Sequence, residues 1–240
     1  MTTKTLALLA AALAAGALAP RTALAADTSL AFNVGAVSDY RYRGISQSRL
    51  RPAVQAGVDF SAANGIYLGA WASSIKWIDD AGGNANAEID LYGGWKGEVA
   101  KGLTLDVGAL TYQYPSNDLH PSANTTEVYG ALSYEMFTLK YSHAVTNLFG
   151  FGDSKGSGYV DLSASFDVYQ GWTLAPHIGH QTVRHLGAAS YTDYSLTLSK
   201  DFSGFVPSLA VVDTDTDVYV APNGKDLGRT GVVLGLKYNF

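Results

Sequence analysis

Val232-Val233-Leu234-Gly235-Leu236-Lys237-Tyr238-Asn239-Phe240 decides the fold. In an extended chain Val232, Leu234, Leu236, Tyr238 and Phe240 share one face, and Val233, Gly235, Lys237 and Asn239 share the other. Period-2 alternation of this kind belongs to a strand that meets an apolar phase on one side and a polar phase on the other. The closing strand of a soluble sandwich or small barrel can show it too. The decision therefore rests on whether the rest of the chain repeats the pattern.

It does so many times. Working back to the start, apolar sets at every second residue are Leu30, Phe32, Val34, Ala36, then Val54, Ala56, Val58, Phe60. The stretch 66–77 is ambiguous, with Tyr67, Trp71, Ile75 and Trp77 on one parity and Ile66, Leu68 and Ala70 on the other. Next come Ile89, Leu91, Trp95; Leu103, Leu105, Val107; Val128, Leu132, Tyr134; and Phe137, Leu139, Tyr141, Val145. The clearest set is Val160, Leu162, Ala164, Phe166, Val168, interleaved with Asp161, Ser163, Ser165 and Asp167. Leu174, Pro176, Ile178, then Tyr194, Leu196, Leu198, and a segment at 205–212 containing Pro207 precede the terminal strand. Pro176 on an outward position predicts a local bulge. The total is twelve strands.

The connections alternate as well. Those after even-numbered strands are short, at 64–65, 97–102, 135–136, 169–171 and 201–204. Those after odd-numbered strands are longer and more polar, at 42–51, 78–86, 115–125, 148–157, 185–190 and 214–229. An all-β transmembrane antiparallel up-and-down barrel with both termini in the periplasm has short periplasmic turns and long external loops. Closure follows from the hydrocarbon phase, where an unpaired backbone amide costs several kcal/mol and an open sheet edge is not tolerated.

The N-terminal segment agrees. Lys4, the apolar run 6–19, Pro20-Arg21 and Ala23-Leu24-Ala25-Ala26 have the charged, apolar and small-residue order of a secretory signal peptide. Residues 1–26 are expected to be removed, leaving a barrel domain at 27–240. The chain is 47% hydrophobic and 15% charged, yet no run after Asp27 is long enough for a spanning helix. There are no cysteines, so neither disulfides nor thiolate metal sites are available. The formal net charge of −5 argues against nucleic-acid binding. The 26 glycines and 15 tyrosines suit a curved thin wall with tyrosine at the membrane interface.

Ser38-Asp39-Tyr40-Arg41-Tyr42-Arg43-Gly44-Ile45-Ser46-Gln47 follows the first outward set. It resembles the S-D-Y-x-x-R-G-I-S-Q signature of the TorF family, proteobacterial proteins classed among outer-membrane porins without an established solute. Pro52-Ala53-Val54-Gln55 with Asp59, residues 65–73, Glu88-Ile89-Asp90-Leu91-Tyr92-Gly93-Gly94, residues 112–115 and Glu127-Val128-Tyr129-Gly130 continue the likeness. It covers most of residues 27–240 and is more specific up to residue 130 than beyond. What it implies is an outer-membrane barrel with a pore. In the same way, the terminal phenylalanine with tyrosine two places before it resembles the C-terminal assembly signal of such barrels, which makes Tyr238 and Phe240 candidate assembly determinants.

Asp39, Tyr40, Arg41, Arg43, Gly44, Ser46 and Gln47 are the candidate pore-mouth residues. Two readings stand side by side: a charged constriction touching solute, or a salt-bridge cluster that pins the first loop to the wall. Gly44 reads as a turn residue. Strand parity sends Asp59, Glu88, Asp90, Asp106, Glu127, Lys140, Asp161, Asp167 and Asp193 into the lumen, with Lys96 and Lys237. That acidic excess predicts cation preference, whereas full internal pairing would give a plug. His177 and His180 have opposite parity, so they do not form a metal site. The run Asp213, Asp215, Asp217 reads as a solvated loop edge, with weak calcium binding as its alternative.

No cofactor or catalytic motif is legible, so an enzyme is not expected. The reading is passive diffusion of small hydrophilic solutes or ions across the bacterial outer membrane, after export through the periplasm. A closed structural or adhesive barrel with partner-binding loops is the first alternative. An interfacial hydrolase using outward His143 or His180 is the second. The implied partners are outer-membrane lipid and lipopolysaccharide, the barrel-assembly machinery in transit, and the solutes themselves.

Overall fold

A computed structural model describes residues 28–240; the leader expected at residues 1–26 lies outside them. The elements in chain order are β1 (Ser29–Val37), β2 (Arg41–Tyr42), β3 (Ile45–Ser46), β4 (Ala53–Ser61), β5 (Ile66–Ser74) and the one-turn helix α1 (Trp77–Asp80). There follow β6 (Ala87–Ala100), β7 (Leu103–Gln113), β8 (Thr125–Tyr134), β9 (Phe137–Ala144), β10 (Gly158–Ala164) and β11 (Phe166–Tyr169). The last four are β12 (Trp172–Thr182), β13 (Tyr191–Lys200), β14 (Phe205–Thr214) and β15 (Gly231–Asn239). Every wall pairing is antiparallel between sequence neighbours, and β15 returns to pair with β1. β10 and β11 are two halves of one stave, since both pair with β12. β2 and β3 form a separate hairpin. The wall is therefore a closed barrel of twelve staves, as the alternation and the loop lengths predict.

Closure is carried by the terminal strand. Val34 lies opposite Tyr238 and Ala36 opposite Leu236. Phe32 and Phe240 exchange both backbone hydrogen bonds, each at 3.0 Å. The Phe240 ring stacks on Phe32 at 6.2 Å and lies 5.4 Å from the Tyr238 ring. Phe240 thus joins the last strand to the first at the seam of the barrel. Deleting it should lower the folded, heat-modifiable fraction recovered from outer membranes and raise periplasmic degradation. Equal yield at native expression would refute this role.

The outward face is apolar and uncovered. Val54, Leu68, Val232 and Leu234 are each between 60% and 67% exposed. A belt of such residues runs around the whole barrel, far larger than the apolar patches of soluble monomers, and fits hydrocarbon. Tyr134, Phe137, Tyr169, Phe202, Phe205 and Phe240 are exposed at the short-turn end and make an aromatic rim.

Several local expectations are corrected. The ambiguous strand resolves with Ile66 and Leu68 outward and Tyr67 and Trp71 buried inward. The turn expected over 97–102 shrinks to residues 101–102, because β6 and β7 pair up to Ala100 and Leu103. No register shift occurs at Pro176, which pairs in step with Leu196. Instead the ladder to the other neighbour breaks: it runs to Ser163↔His177 and resumes at Phe166↔Leu174. The gap falls opposite Pro176, which has no N–H to give. The tyrosines are not only an interface girdle. Tyr40, Tyr67, Tyr112, Tyr114, Tyr159 and Tyr191 are buried inside. Tyr92 covers Gly69, where an added Cβ would run into the ring. Glycine on one strand thus makes room for an inward ring on the next.

Candidate functional site

The first long connection does not stay outside. Residues 38–52 fold into the barrel, and Asp39, Tyr40, Arg41, Ser46, Gln47 and Ser48 are buried. The reason is local. Arg43 and Gly44 both take positive φ, 45° and 80°, between the paired residues Tyr42 and Ile45. A two-residue hairpin with both central residues left-handed is a type I′ turn, which favours glycine at its second position. This sets Arg43 at the apex of an inward-pointing hairpin.

Asp39 and Arg41 hold the base. Arg41 Nε donates to Asp39 at 2.5 Å, and Ser46 Oγ donates to the other carboxylate oxygen at 2.5 Å. Arg41 Nη1 donates to the carbonyls of Gly44 (2.9 Å), Leu227 (2.9 Å) and Arg229 (3.1 Å). The first long connection is thereby tied to the last. The Gln47 carbonyl accepts from the backbone N–H groups of Lys76 and Trp77 at 2.8 and 3.1 Å, which seats α1 on the same loop.

Arg43 spans the lumen. It donates to both carboxylate oxygens of Glu127 on β8, at 3.0 and 2.6 Å, and to Gln181 Oε1 on β12 at 2.6 Å. Its guanidinium also lies over the rings of Tyr42 (4.9 Å) and Tyr159 (4.2 Å). A bidentate fork with ring stacking is a geometry that lysine cannot reproduce. Burial opposes the charge, but Glu127 beside it holds the Arg43 pKa above the ordinary guanidinium value.

Around this bridge the wall is polar. Tyr40 OH donates to Glu88 at 2.6 Å, and Tyr112 OH donates to Glu127 at 3.3 Å. Burial first, and the Glu88 charge second, keep the Tyr40 and Tyr114 phenols well above their usual pKa, so both retain their protons. Asp90 is fully buried, and neither of its carboxylate oxygens has a hydrogen-bond partner among the described residues.

Towards the short-turn end, carboxylates alternate with phenols. Tyr92 OH donates to Asp59 at 2.5 Å and Tyr67 OH to Asp106 at 2.6 Å; Lys140 Nζ sits 4.1 Å over the Tyr129 ring. At the level of the bridge Tyr159 OH donates to Asp193 at 2.9 Å, and below it His177 Nε2 lies 2.6 Å from Asp161. Asp106, Asp161, Lys96 and Lys237 remain half-exposed here. Asp167 shares the parity but is exposed beside the turn after β11, at the rim rather than along the lumen.

The structure thus brings Asp39, Arg41, Gly44 and Ser46 into one hairpin base, and Arg43 with Glu127 into one bridge. Tyr238 and Phe240 lie apart, at the seam. Gln181, Tyr112, Tyr159 and His177 belong to the network but were not singled out as site residues from sequence. Their inward parity was the available signal. Of the acidic run, Asp215 accepts from the Thr192 N–H at 2.7 Å and Asp213 from Thr230 at 2.8 Å, bonds that fasten the loop edge. His143 and His180 face outward and bond to Tyr141 (3.4 Å) and Thr192 (3.1 Å).

A family model described as "Bacterial protein of unknown function (Gcw_chp)" matches residues 22–240. Among curated proteins no relative matches. The KdgM porin, solved in complex with disordered oligogalacturonate, is similar in fold at TM-score 0.56 and 9% identity, covering 88% of this chain and 98% of its own. The NanC porin gives TM-score 0.56 and 12% identity, covering 88% and 99%. The outer membrane protein Omp33 of Acinetobacter baumannii gives 0.50 and 7%, covering 90% and 99%. These likenesses establish the barrel fold.

Proposed function

The chain belongs to the Gcw_chp family of bacterial proteins of unknown function, and from that premise we propose that it is a porin-like channel of the outer membrane. It passes small hydrophilic solutes or ions down their gradient, with its long loops outside and its short turns in the periplasm. The observation that carries this reading is the two-sided wall: uncovered apolar residues outside, and charged residues inside, narrowed by one inward hairpin. An apolar outer belt fits lipid, and a lumen lined by Asp106, Asp161, Lys96 and Lys237 fits water. The TorF likeness and the porin fold both support it. No covalent chemistry is needed. Lipid, lipopolysaccharide and the assembly machinery are its expected surroundings and helper.

Planar-bilayer recording tests the proposal. Wild-type protein should conduct, and at low salt the cation/anion permeability ratio should exceed unity because fixed carboxylates concentrate cations in a narrow wet lumen. Raising salt should weaken the preference as screening shortens to about 3 Å at 1 M. Neutralising Asp106 and Asp161 together should reduce it too; they are half-exposed, whereas Asp90 is sealed off. Anion preference would show that Arg43 outweighs the acidic wall.

A closed barrel is the second reading. Near-complete burial of Tyr40, Tyr112, Glu88 and Glu127 favours it, because these groups fill the upper lumen beside the hairpin. Absence of conductance in both wild type and Arg43→Ala would select it.

A further inference from the structure

Above the Arg43 bridge lies a chamber of about 650 Å³, walled by the long connections. We infer that it is a binding site for a small, neutral molecule with a predominantly apolar, ring-containing body. The inference rests on the channel reading and adds to its hydrophilic solutes a distinct ligand held at the outer mouth.

The walls are apolar: Leu148, Phe149, Phe151, Leu186, Tyr191 and Leu227 all line the chamber. They are also fixed. One buried cluster joins Ile45, Tyr191, Ala221 and Leu227, and another joins Ala144, Leu148, Val183 and Ala189. Tyr219 packs against both, so the chamber is held between two small cores. Its volume lies in the range of small-molecule pockets, too small for a folded partner.

Polarity disfavours a sugar-like occupant. Most side-chain polar groups of the lining already have partners; the buried indole N–H of Trp77 is an exception, with no hydrogen-bond partner among the described residues. Ser46 Oγ donates to Asp39 at 2.5 Å, and Gln47 Nε2 donates to the Ile45 carbonyl at 3.0 Å. Tyr42 OH bonds to Tyr112 OH at 2.5 Å, and Tyr219 OH donates to the Ala189 carbonyl at 2.7 Å. Gln181 is held by Arg43 and by the carbonyls of Gly158 and Thr182, and Asp80 is paired with Arg49. A polyhydroxylated molecule entering here would give up its hydration for few replacement bonds, whereas one ring-borne polar group could accept from Trp77 Nε1. An apolar body loses none, and it gains from leaving water. The floor is formed by Tyr42 and Gln181, the two residues that also touch Arg43, so an occupant rests directly on the bridge.

The test uses the full barrel in phosphatidylcholine nanodiscs, with 2-naphthol and maltose as probes. Leu186 and Val220 line the chamber but are 41% and 52% exposed, so Leu186→Glu/Val220→Glu should fold normally while charging the wall. Wild type should bind 2-naphthol saturably and the variant about tenfold more weakly or less, because the new carboxylates are desolvated by the occupant. Partition into lipid is common to both proteins and subtracts. Equal 2-naphthol binding in the two proteins, or saturable maltose binding, would overturn the inference. Binding without conductance would remove the channel reading alone; conductance without binding would remove this inference alone.

Discussion

Arg43→Met should lower the unfolding free energy of the barrel in lipid vesicles by about 3–5 kcal/mol, the usual cost of stranding one member of a buried ion pair. The Arg43 and Glu127 side chains are only 7% and 2% exposed, so water cannot replace the lost partner. Tyr112 still donates to Glu127, at 3.3 Å, but one neutral donor does not offset a buried carboxylate. Glu127→Gln in the same protein should restore more than half of the loss, since the charge is gone and an amide can still bond to Tyr112. Urea unfolding followed by tryptophan fluorescence measures both. A single-variant cost under about 1 kcal/mol would place the pair with exposed surface bridges and remove it as the anchor of the hairpin. Conductance supplies a second readout. With the guanidinium gone, the bridge from Glu127 on β8 to Gln181 on β12 is lost, so single-channel current should rise in Arg43→Met.

The outer half of this molecule was legible because lipid imposes a contrast on every second residue. Leu30 through Phe60, and Val160 through Val168, announce their faces without any partner being known. Loop lengths then fixed which ends are short. The interior follows no such period. Arg43 meets Glu127 and Gln181 across 84 and 138 residues of chain, and nothing local marks those distances. What local pattern did exist was in the turn: Arg43-Gly44 between short extended pairs is a hairpin tip, and a hairpin rigid enough to reach inward carries its apex with it. Tyrosine misled in the other direction. An amphipathic ring suits a membrane interface, but it equally suits a lumen where its hydroxyl meets Asp59, Asp106 or Asp193. Only glycine at the neighbouring position, as Gly69 beneath Tyr92, distinguishes the two, and that pairing needs the register. Pro176 shows the same limit. Its missing donor was legible, but whether it cost a bulge or a broken ladder depended on which neighbour it faced.

The stave formed by β10 and β11 offers the sharpest test of membrane placement. Leu162 lies near its middle, outward and 44% exposed, flanked in register by Leu139 and Ile178. Leu162→Arg should cost about 2–4 kcal/mol in vesicles, the penalty for arginine on the lipid face near the midplane. Ser163 is one residue away, inward, opposite Thr138 and His177 and half-exposed. Ser163→Arg should cost much less, because its guanidinium reaches a lumen that holds Asp161. The comparison is made at one depth and on one strand, so insertion machinery and overall charge affect both variants alike. Moving the same arginine to Val168, beside the turn, should recover most of the loss, since the lipid-face penalty falls to about 0–1 kcal/mol near the interface. Equal costs at 162 and 163 would mean that the two faces meet the same medium, which only a sheet buried on both sides provides. A cost at 168 matching that at 162 would place the hydrocarbon boundary beyond the aromatic rim of Tyr134, Tyr169 and Phe205. The rim residues carry rings that favour the interface, so the boundary is expected to pass through them and not below.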